Sequence, residues 1–592
     1  MKKIYLLLIT GLFFFTGSLK AQNGAITLKD GNGSVVSSFG SIALAYAAIP
    51  APMSMPYKIE INSNYDGSQE TYPVTLTPVS GASSTNTITI RPEASVVSVS
   101  ITSNQTNTAL ILFDDADFVI IDGRPGGQGI NRALLINNMG TGTSSYGIDM
   151  INGACNNIIR HCRVSGYTTL SSGGKGIHIG SSAANPTGNS DNLFEFLTFD
   201  NGPRYFMNSS GTAANPNRNL TVYGCEFINI NFCGWWQQNG TGKVTVDSCF
   251  FFSNGAGGTT STGLFAILSD FQTDTIIITR NNIYNIDNYN NSADIIGIAL
   301  RSFNAGSALR IYNNFINLNA SNSSVDEIHG IEFGTNNANN PFDAKVYHNT
   351  IVIGGSATGG TSGSVNSAAL SVWNSDSLAK IDIRNNLLIN NRTGGAEQHV
   401  SILRNSILGS NTINYNNYFS ATNDFAKITT NVYTDLSSYQ LASAPNDVNS
   451  QDQMISFVSN NDLHLMPPST GNTALYGIAL SEVTSDYDNE LRIHNYMGAD
   501  EPDESVGISE HLSSNDFIIY PNPTSSKFSV RLDNKANYKI EVCNLIGQVL
   551  YSSVTGSQDE IIINTSDWNK GLYIVKLITD QQELTSRVAL ID

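Results

Sequence analysis

Three basic side chains, Lys175, His178 and Arg204, follow one another closely in the first half of the chain. A polysaccharide lyase needs such groups, because a Lys, Arg or His removes the proton beside a uronate carboxylate while an Arg or a cation neutralises that carboxylate. Asp191 and Glu195 lie between His178 and Arg204 and could hold calcium. Lys175, His178 and Arg204 are therefore the candidate catalytic residues, although scattered surface polar groups would give the same pattern.

Pairs of carboxylates offer a second chemistry, since a glycoside hydrolase places two of them about 5 to 10 Å apart across a groove. The available sets are Asp270 with Asp274, and Asp326 with Glu327 and Glu332. Nothing in the sequence distinguishes either set. His329 beside Glu327 is more typical of a surface pair than of a catalytic one.

Metal ligands do not stand out. One run of aspartates lacks the glycine and the length of an EF-hand loop and fits a solvated turn better: Asp114, Asp115 and Asp117. Three cysteines have no zinc spacing: Cys155, Cys233 and Cys543. We expect no metal and no cofactor, with calcium as the one ion that the carboxylates leave open.

Composition narrows the class of protein. A chain of 592 residues is too long for one compact core, so we expect several domains or one elongated repeat array. Only 14% of the residues are charged, which suits short strands joined by frequent turns. The formal charge of -18 leaves no basic stripe for a phosphate backbone, so we expect no nucleic-acid partner. Residues 1–21 begin with Lys2 and Lys3 after the first Met, continue with an apolar run and end in small residues, which predicts a signal peptide. No later run predicts a transmembrane helix.

A repeat explains how the candidate residues would be positioned. An apolar residue is followed after three positions by Asn or Cys and after five by another apolar residue, once every 24 to 37 residues. The Asn or Cys positions are Cys162, Cys225, Cys249, Asn281, Asn314, Asn349, Asn386 and Asn416, with Leu197 in a degenerate copy. A period of this length predicts a solenoid whose stacked coils bury one continuous core.

The repeated polar position has a structural explanation. An inward Asn can hydrogen-bond the turn and its equivalent in the next coil, so the asparagines are predicted to form a ladder. Cys162, Cys225 and Cys249 share that position and are expected to be buried and free, because in-register side chains on parallel neighbours suit disulfide geometry poorly.

A second repeated strand begins at a glycine or alanine in most coils. If side chains alternate, the residue two positions later points outward. The predicted column is Asp149, His178, Met207, Trp236, Phe265, Ala299, Glu332 and Ser371. Trp236 and Phe265 would form a platform for sugar rings, unless a loop covers them. The candidate ligand-binding residues are Trp236, Phe265, His178, Asp149 and Glu332.

Several segments resemble right-handed parallel β-helix proteins of Bacteroidetes and the pectate-lyase-like superfamily. They are 57–61 (YKIEI), 86–92 (NTITIRP), 119–127 (VIIDGRPGG), 462–465 (DLHL), 486–488 (DYD) and 497–501 (MGADE). The resemblance implies a cap over 22–85 with a short helix at 41–49, a β-helix of about eleven coils over 86–420 and a closing cap over 421–500.

The carboxy-terminal segments 517–523 (FIIYPNP), 542–548 (VCNLIGQ) and 571–577 (GLYIVKL) look like the type A sorting domain of the type IX secretion system. The resemblance implies the secretion machinery as a partner and a secreted or outer-membrane surface location. Alternating apolar residues predict a small antiparallel sandwich over 517–592, after a polar linker at 501–516. We therefore expect an all-β exported protein that binds glycans, adhesin-like, or alternatively a polysaccharide lyase or glycoside hydrolase.

Overall fold

The computed structural model describes residues 24–502 and 517–591, apart from 168–173, 182–186, 201, 254–262, 271–273, 287–293, 321–326, 336, 338, 358–364, 408, 533–538, 545–546, 555–559 and 579–582. The signal peptide predicted at 1–21 and most of the predicted linker lie outside these residues. The chain divides into two units, residues 1–502 and 503–592. Among the described residues, no helix is long and apolar enough to cross a membrane.

The first unit is built from three long sheets, counted over the described residues. Sheet 1 contains Val35–Phe39, Ile26–Asp30, Tyr57–Ile61, Ile88–Pro92, Val119–Asp122, Ile158–Arg160, Leu193–Glu195, Leu220–Tyr223, Val244–Asp247, Thr275–Thr279, Ala308–Tyr312, Asp343–Tyr347, Lys380–Arg384 and Ser410–Asn414. Sheet 2 contains Val74–Leu76, Ala109–Asp114, Tyr146–Ile151, Lys175–Gly180, Tyr205–Ser210, Cys233–Gln237, Leu264–Asp270, Ile295–Arg301, Ile328–Thr335, Val365–Asn374, Gln398–Ile407, Ala426–Ile428 and Asn431–Tyr433. Sheet 3 contains Val99–Ser103, Leu134–Asn138, Arg163–Gly166, Thr198–Asp200, Glu226–Ile228, Phe250–Phe252, Asn282–Tyr284, Phe315–Leu318, Thr350–Ile353, Leu387–Asn390 and Asn417–Ser420.

Each coil gives one strand to each sheet, and the coils pair in parallel, so the predicted parallel β-helix is confirmed. Inward residues of all three sheets form one continuous apolar core. Within it, Phe199, Phe227 and Phe251 stack face to face with ring centroids 4.9 and 4.5 Å apart. Such stacking follows from register, because equivalent side chains of neighbouring coils lie one strand spacing apart, about 4.8 Å.

The asparagine ladder is confirmed. The backbone N–H and the side-chain amide of Asn314 both donate to Oδ1 of Asn349, at 3.1 and 2.9 Å. Asn349 donates in the same way to Asn386, and Asn386 to Asn416. These side chains are fully buried, so each carboxamide meets the hydrogen-bonding needs of a turn that water cannot reach.

The cysteines behave as the repeat predicts. All six lie in the described part of the chain and are free, and Cys162, Cys225 and Cys249 are fully buried in the ladder position. Burial raises the pKa of the Cys162 and Cys249 thiols well above the ordinary value. These thiols are therefore protonated, and the two side chains serve to fill the core.

Both ends of the β-helix are covered. The helix Ile42–Ala47, capped by the Ser41 hydroxyl, buries Ile42, Ala45 and Tyr46 against the first coils. At the other end, the helix Leu436–Ser443 buries Tyr439 in the same core, against Tyr418 and Phe425. The segment that follows packs along sheet 3, where the buried Arg492 donates to Oδ1 of Asn313. The remaining short elements are the 3₁₀ turns Pro125–Gly127 and Thr473–Leu475, and the strand pairs Ser356–Ala357 with Thr393–Gly394 and Phe457–Ser459 with Asp462–Leu465.

The second unit forms two antiparallel sheets around its own apolar core, as alternation predicted. One sheet contains Phe517–Tyr520, Lys527–Leu532 and Glu560–Asn564, and the other contains Val549–Val554, Lys539–Asn544, Gly571–Ile578 and Glu583–Leu590. Phe528, Val530, Ile540, Val542 and Val575 are buried between them.

Asn349→Ala tests the ladder. The change leaves the buried N–H of Asn314 without its acceptor and removes the amide that bonds the carbonyl of Ile311. We expect a loss of about 3 kcal/mol in the free energy of unfolding, since each unsatisfied buried group costs about 1 to 3 kcal/mol. Urea unfolding measures it. The exposed Asn449→Ala should change stability by less than about 0.5 kcal/mol, and equal effects of the two variants would contradict the ladder's role.

Candidate functional site

Sheet 2 departs from strict alternation at the same point in successive coils. A Cβ on Gly176 would meet the core side chains of Val164 and Phe199, so this position faces inward. The next residue, Ile177, is also buried in the core. Two inward residues in succession place outward side chains on both sides of them, three positions apart, at Lys175 and His178.

This irregularity corrects the predicted outward column. The residues that are register partners from one coil to the next are Asp149, His178, Asn208, Trp236, Leu268, Ala299, Glu332 and Ser371. The prediction was wrong at Met207, which faces the core and is fully buried, and at Phe265, which pairs with Cys233. In these two coils the position equivalent to Gly176 is occupied by Phe206 and by Ala266. The predicted column was counted from Gly263, three residues before Ala266, and therefore reached Phe265 instead of Leu268.

The aromatic platform predicted from Trp236 and Phe265 is replaced by a different pair of rings. Phe265 is only 3% exposed and packs in a small outer cluster with Cys233, Leu268 and Ile296. Trp236 instead stacks on Tyr205, with ring centroids 4.6 Å apart and planes 20° apart. Both rings are half-buried.

Two contacts fix the platform in place. The indole Nε1 of Trp236 donates to Oδ2 of Asp270 at 3.3 Å, which orients the ring. The guanidinium of Arg204 lies over the ring of Tyr205, 5.4 Å from its centroid, and over the ring of Phe232 at 4.7 Å. Arg204 is thereby held at the edge of the aromatic pair.

A polar group adjoins the platform in the preceding coils. Nδ1 of His178 lies 2.8 Å from Oδ1 of Asp149, and its Nε2 lies 3.0 Å from Oγ of Ser210. The ring of Tyr146 covers the imidazole with centroids 4.7 Å apart, and Nζ of Lys175 is 3.4 Å from the Tyr146 hydroxyl. Burial lowers the pKa of Lys175 below its ordinary value.

We call this surface the polar–aromatic patch. It comprises Tyr146, Asp149, Lys175, His178, Arg204, Tyr205, Ser210 and Trp236. The structure thus brings together Lys175, His178, Arg204, Asp149 and Trp236, all of which the sequence singled out. Sequence reasoning missed Tyr146, Tyr205 and Ser210, because only coil-to-coil register shows that they flank His178 and Trp236.

Glu332 lies in the outward column but is only 4% exposed. Its carboxylate accepts from Nδ1 of His329 and from Arg301, each at 2.6 Å. Burial alone would raise the pKa of Glu332, but the hydrogen bond from His329 and the two cations hold it below its ordinary value. His329 is therefore a buried partner of Glu332, where a surface pair with Glu327 was expected.

Where the structure describes them, the remaining carboxylates that the sequence singled out have separate partners. Asp274 lies 3.4 Å from Arg218, Asp191 accepts from Asn219, and Glu195 lies 3.6 Å from Arg160 on sheet 1, away from His178. The aspartates at the predicted turn are likewise engaged: Asp114 accepts from Asn152 and Asp117 from the N–H of Cys155. Asp326 lies outside the described residues.

Two groups of side chains have metal-ligand chemistry among the described residues, Glu327 with His329 and Glu332, and His464 with Asp488 and Asp500. His464 contacts Asp462 through Nδ1, and its Nε2 lies 2.6 Å from Oδ2 of Asp488. The hydrogen bond to Asp488 raises the pKa of His464 to about 9. At neutral pH the protonated imidazole donates to Asp462 through Nδ1 and to Asp488 through Nε2.

Residues 518–591 match the family model described as a secretion system C-terminal sorting domain. The carboxy-terminal unit is a sorting domain. The protein is accordingly exported through the type IX secretion system, and it is secreted or held at the cell surface.

The other similarities to known proteins are weak. An ulvan lyase of Nonlabens ulvanivorans, NLR42, is 30% identical over 66 residues, which are 11% of this chain and 12% of that protein. The chain thus spans about an eighth of that relative, over a stretch no longer than the sorting domain. Among solved structures, the enzymatically active domain of tailspike protein 2 from bacteriophage CBA120 covers 87% of this chain and 71% of its own, at 11% identity and a TM-score of 0.25, too low to carry an argument.

His464→Gln tests the protonated imidazole beside Phe315 of sheet 3. Because its folded pKa of about 9 exceeds the unfolded value near 6.5, the stabilisation is complete below pH 6.5 and is lost as pH rises through 9. The difference in unfolding free energy between the two proteins should therefore shrink between pH 7 and 9.5 in urea titrations. A constant difference would show that His464 is not a charged partner of Asp488.

Proposed function

We propose that this exported β-helix protein binds extracellular polysaccharide on the polar–aromatic patch. The observation that carries the proposal is the stacked, half-buried pair of Tyr205 and Trp236, bordered by hydrogen-bonding side chains from adjacent coils. Aromatic faces take up the apolar faces of sugar rings, and polar groups beside them orient the hydroxyl or carboxylate groups.

The extent of the patch fits a polymer better than a single sugar. From Asp149 to Trp236 it crosses four successive strands of sheet 2, which are three spacings or roughly 14 Å. Lys175 and Arg204 add positive charge to a protein whose net charge is -18. A local cationic group of this kind favours acidic glycans over neutral ones.

Polysaccharide lyase activity is the second candidate. Burial lowers the pKa of Lys175, as a catalytic base requires, and Arg204 in the next coil could neutralise a uronate carboxylate. The ulvan lyase relative adds little to either candidate, because the shared stretch is so short. Experiments on the side chains of the polar–aromatic patch are therefore needed to distinguish binding from turnover.

Trp236→Ala tests glycan binding. We expect the variant to lose at least about tenfold in affinity for the polymer that the wild type retards most, among pectin, alginate, chondroitin and ulvan in affinity gels, since tenfold corresponds to the roughly 1.4 kcal/mol of one stacking contact. Trp373→Ala is the matched control, a half-buried tryptophan four coils further along the same sheet.

Equal retardation of both variants, or retardation of the wild type by none of the polymers, would contradict the proposal. The same incubations, followed by ultraviolet absorbance of unsaturated uronate products, separate the two candidates. Product that is lost in Lys175→Ala would establish the lyase, and retardation without product would leave binding alone.

A further inference from the structure

Three side chains of the polar–aromatic patch have an arrangement that glycan binding does not require. Asp149, His178 and Ser210 lie on three successive strands of sheet 2, Tyr146–Ile151, Lys175–Gly180 and Tyr205–Ser210. The Asp149 carboxylate meets one ring nitrogen of His178 at 2.8 Å, and the Ser210 hydroxyl meets the other at 3.0 Å. This is the order of contacts by which a carboxylate orients an imidazole that activates a serine.

We propose that Asp149, His178 and Ser210 form a nucleophilic triad that hydrolyses carboxylic esters, with O-acyl groups of polysaccharides as the substrate class. The substrate class rests on the proposed glycan binding, whereas the triad itself rests on its own geometry.

The surroundings hold the imidazole in the orientation that the triad needs. Asp149 and His178 are direct register partners, so backbone pairing sets their separation. Gly180 leaves room for the ring, since a Cβ there would lie 2.6 Å from Cε1 of His178. Tyr146 covers the ring from the adjacent position. With Nδ1–H donating to Asp149, Nε2 is left as the acceptor for the Ser210 hydroxyl.

The three side chains are also open to a substrate. The side chains of His178 and Asp149 are 15% and 18% exposed, and Ser210 is half-buried at the end of its strand. Tyr205 belongs to the same strand as Ser210 and stacks on Trp236. A polysaccharide on the aromatic pair would therefore carry its acyl groups past the serine.

The reaction balances with water as the only co-reactant. Oγ of Ser210 forms a bond to the ester carbonyl carbon while its proton passes to Nε2 of His178. The bond from that carbon to the sugar oxygen then breaks, and the sugar oxygen takes the proton from Nε2. Water, deprotonated by the same nitrogen, attacks the acyl-serine and releases the carboxylic acid with the free serine hydroxyl.

The test uses the full-length chain and two probes. A fluorophosphonate should form an Oγ–P bond with loss of fluoride, and peptide mapping should place the added mass on Ser210. The chain should also hydrolyse p-nitrophenyl acetate, and Ser210→Ala and His178→Ala should each lower that turnover at least about a thousandfold. Ser100→Ala, a half-buried serine on sheet 3, should retain both labelling and turnover.

Labelling that fails to appear on Ser210 of the wild type, or turnover that Ser210→Ala leaves unchanged, would overturn the triad. Because the labelling is read on the wild type, a variant that folds poorly does not affect it. Release of acetate from O-acetylated xylan or pectin tests the substrate class separately. Turnover of the small ester without release from either polymer would overturn the saccharide substrate, and absent gel retardation would count only against glycan binding.

Discussion

Hydrogen bonding between equivalent residues of neighbouring coils is the interaction on which the rest of this molecule depends. The buried carboxamides of Asn314, Asn349 and Asn386 each accept from the preceding coil and donate to the following one, which holds the coils of the asparagine ladder in one register. A slip of one residue would turn the apolar side chains outward and leave the carboxamides unpaired in the core. The same register that closes the core therefore fixes which side chains meet on the outside.

The outer surface of sheet 2 shows this dependence most clearly. His178 meets Asp149 because the two are paired across one strand spacing, and Tyr205 meets Trp236 because the following coils continue the pattern. The inward position at Gly176 adds a second outward column, which brings Lys175 onto the same face. A backbone irregularity that serves the core thus creates the density of functional groups outside.

The structure also suits an exported protein. The cysteines are free, and Cys162 and Cys249 in the ladder are buried with raised pKa values, which suppresses the reactive thiolate in an oxidising environment. The buried carboxylate of Glu332 is paired with His329 and Arg301, so it does not leave an isolated charge in the outer layer.

The sequence by itself determined the repeat, the asparagine ladder, the buried cysteines and the sorting domain, because each depends on local spacing or on a motif. It also singled out His178, Lys175 and Trp236 by their residue types. Only the tertiary structure decided that Tyr205, not Phe265, partners Trp236, and that Ser210 reaches His178. Coil lengths vary from 24 to 37 residues, and Phe206 and Ala266 stand where other coils have glycine. Counting along the sequence therefore misaligns these coils, whereas the backbone hydrogen bonds between coils define the true register.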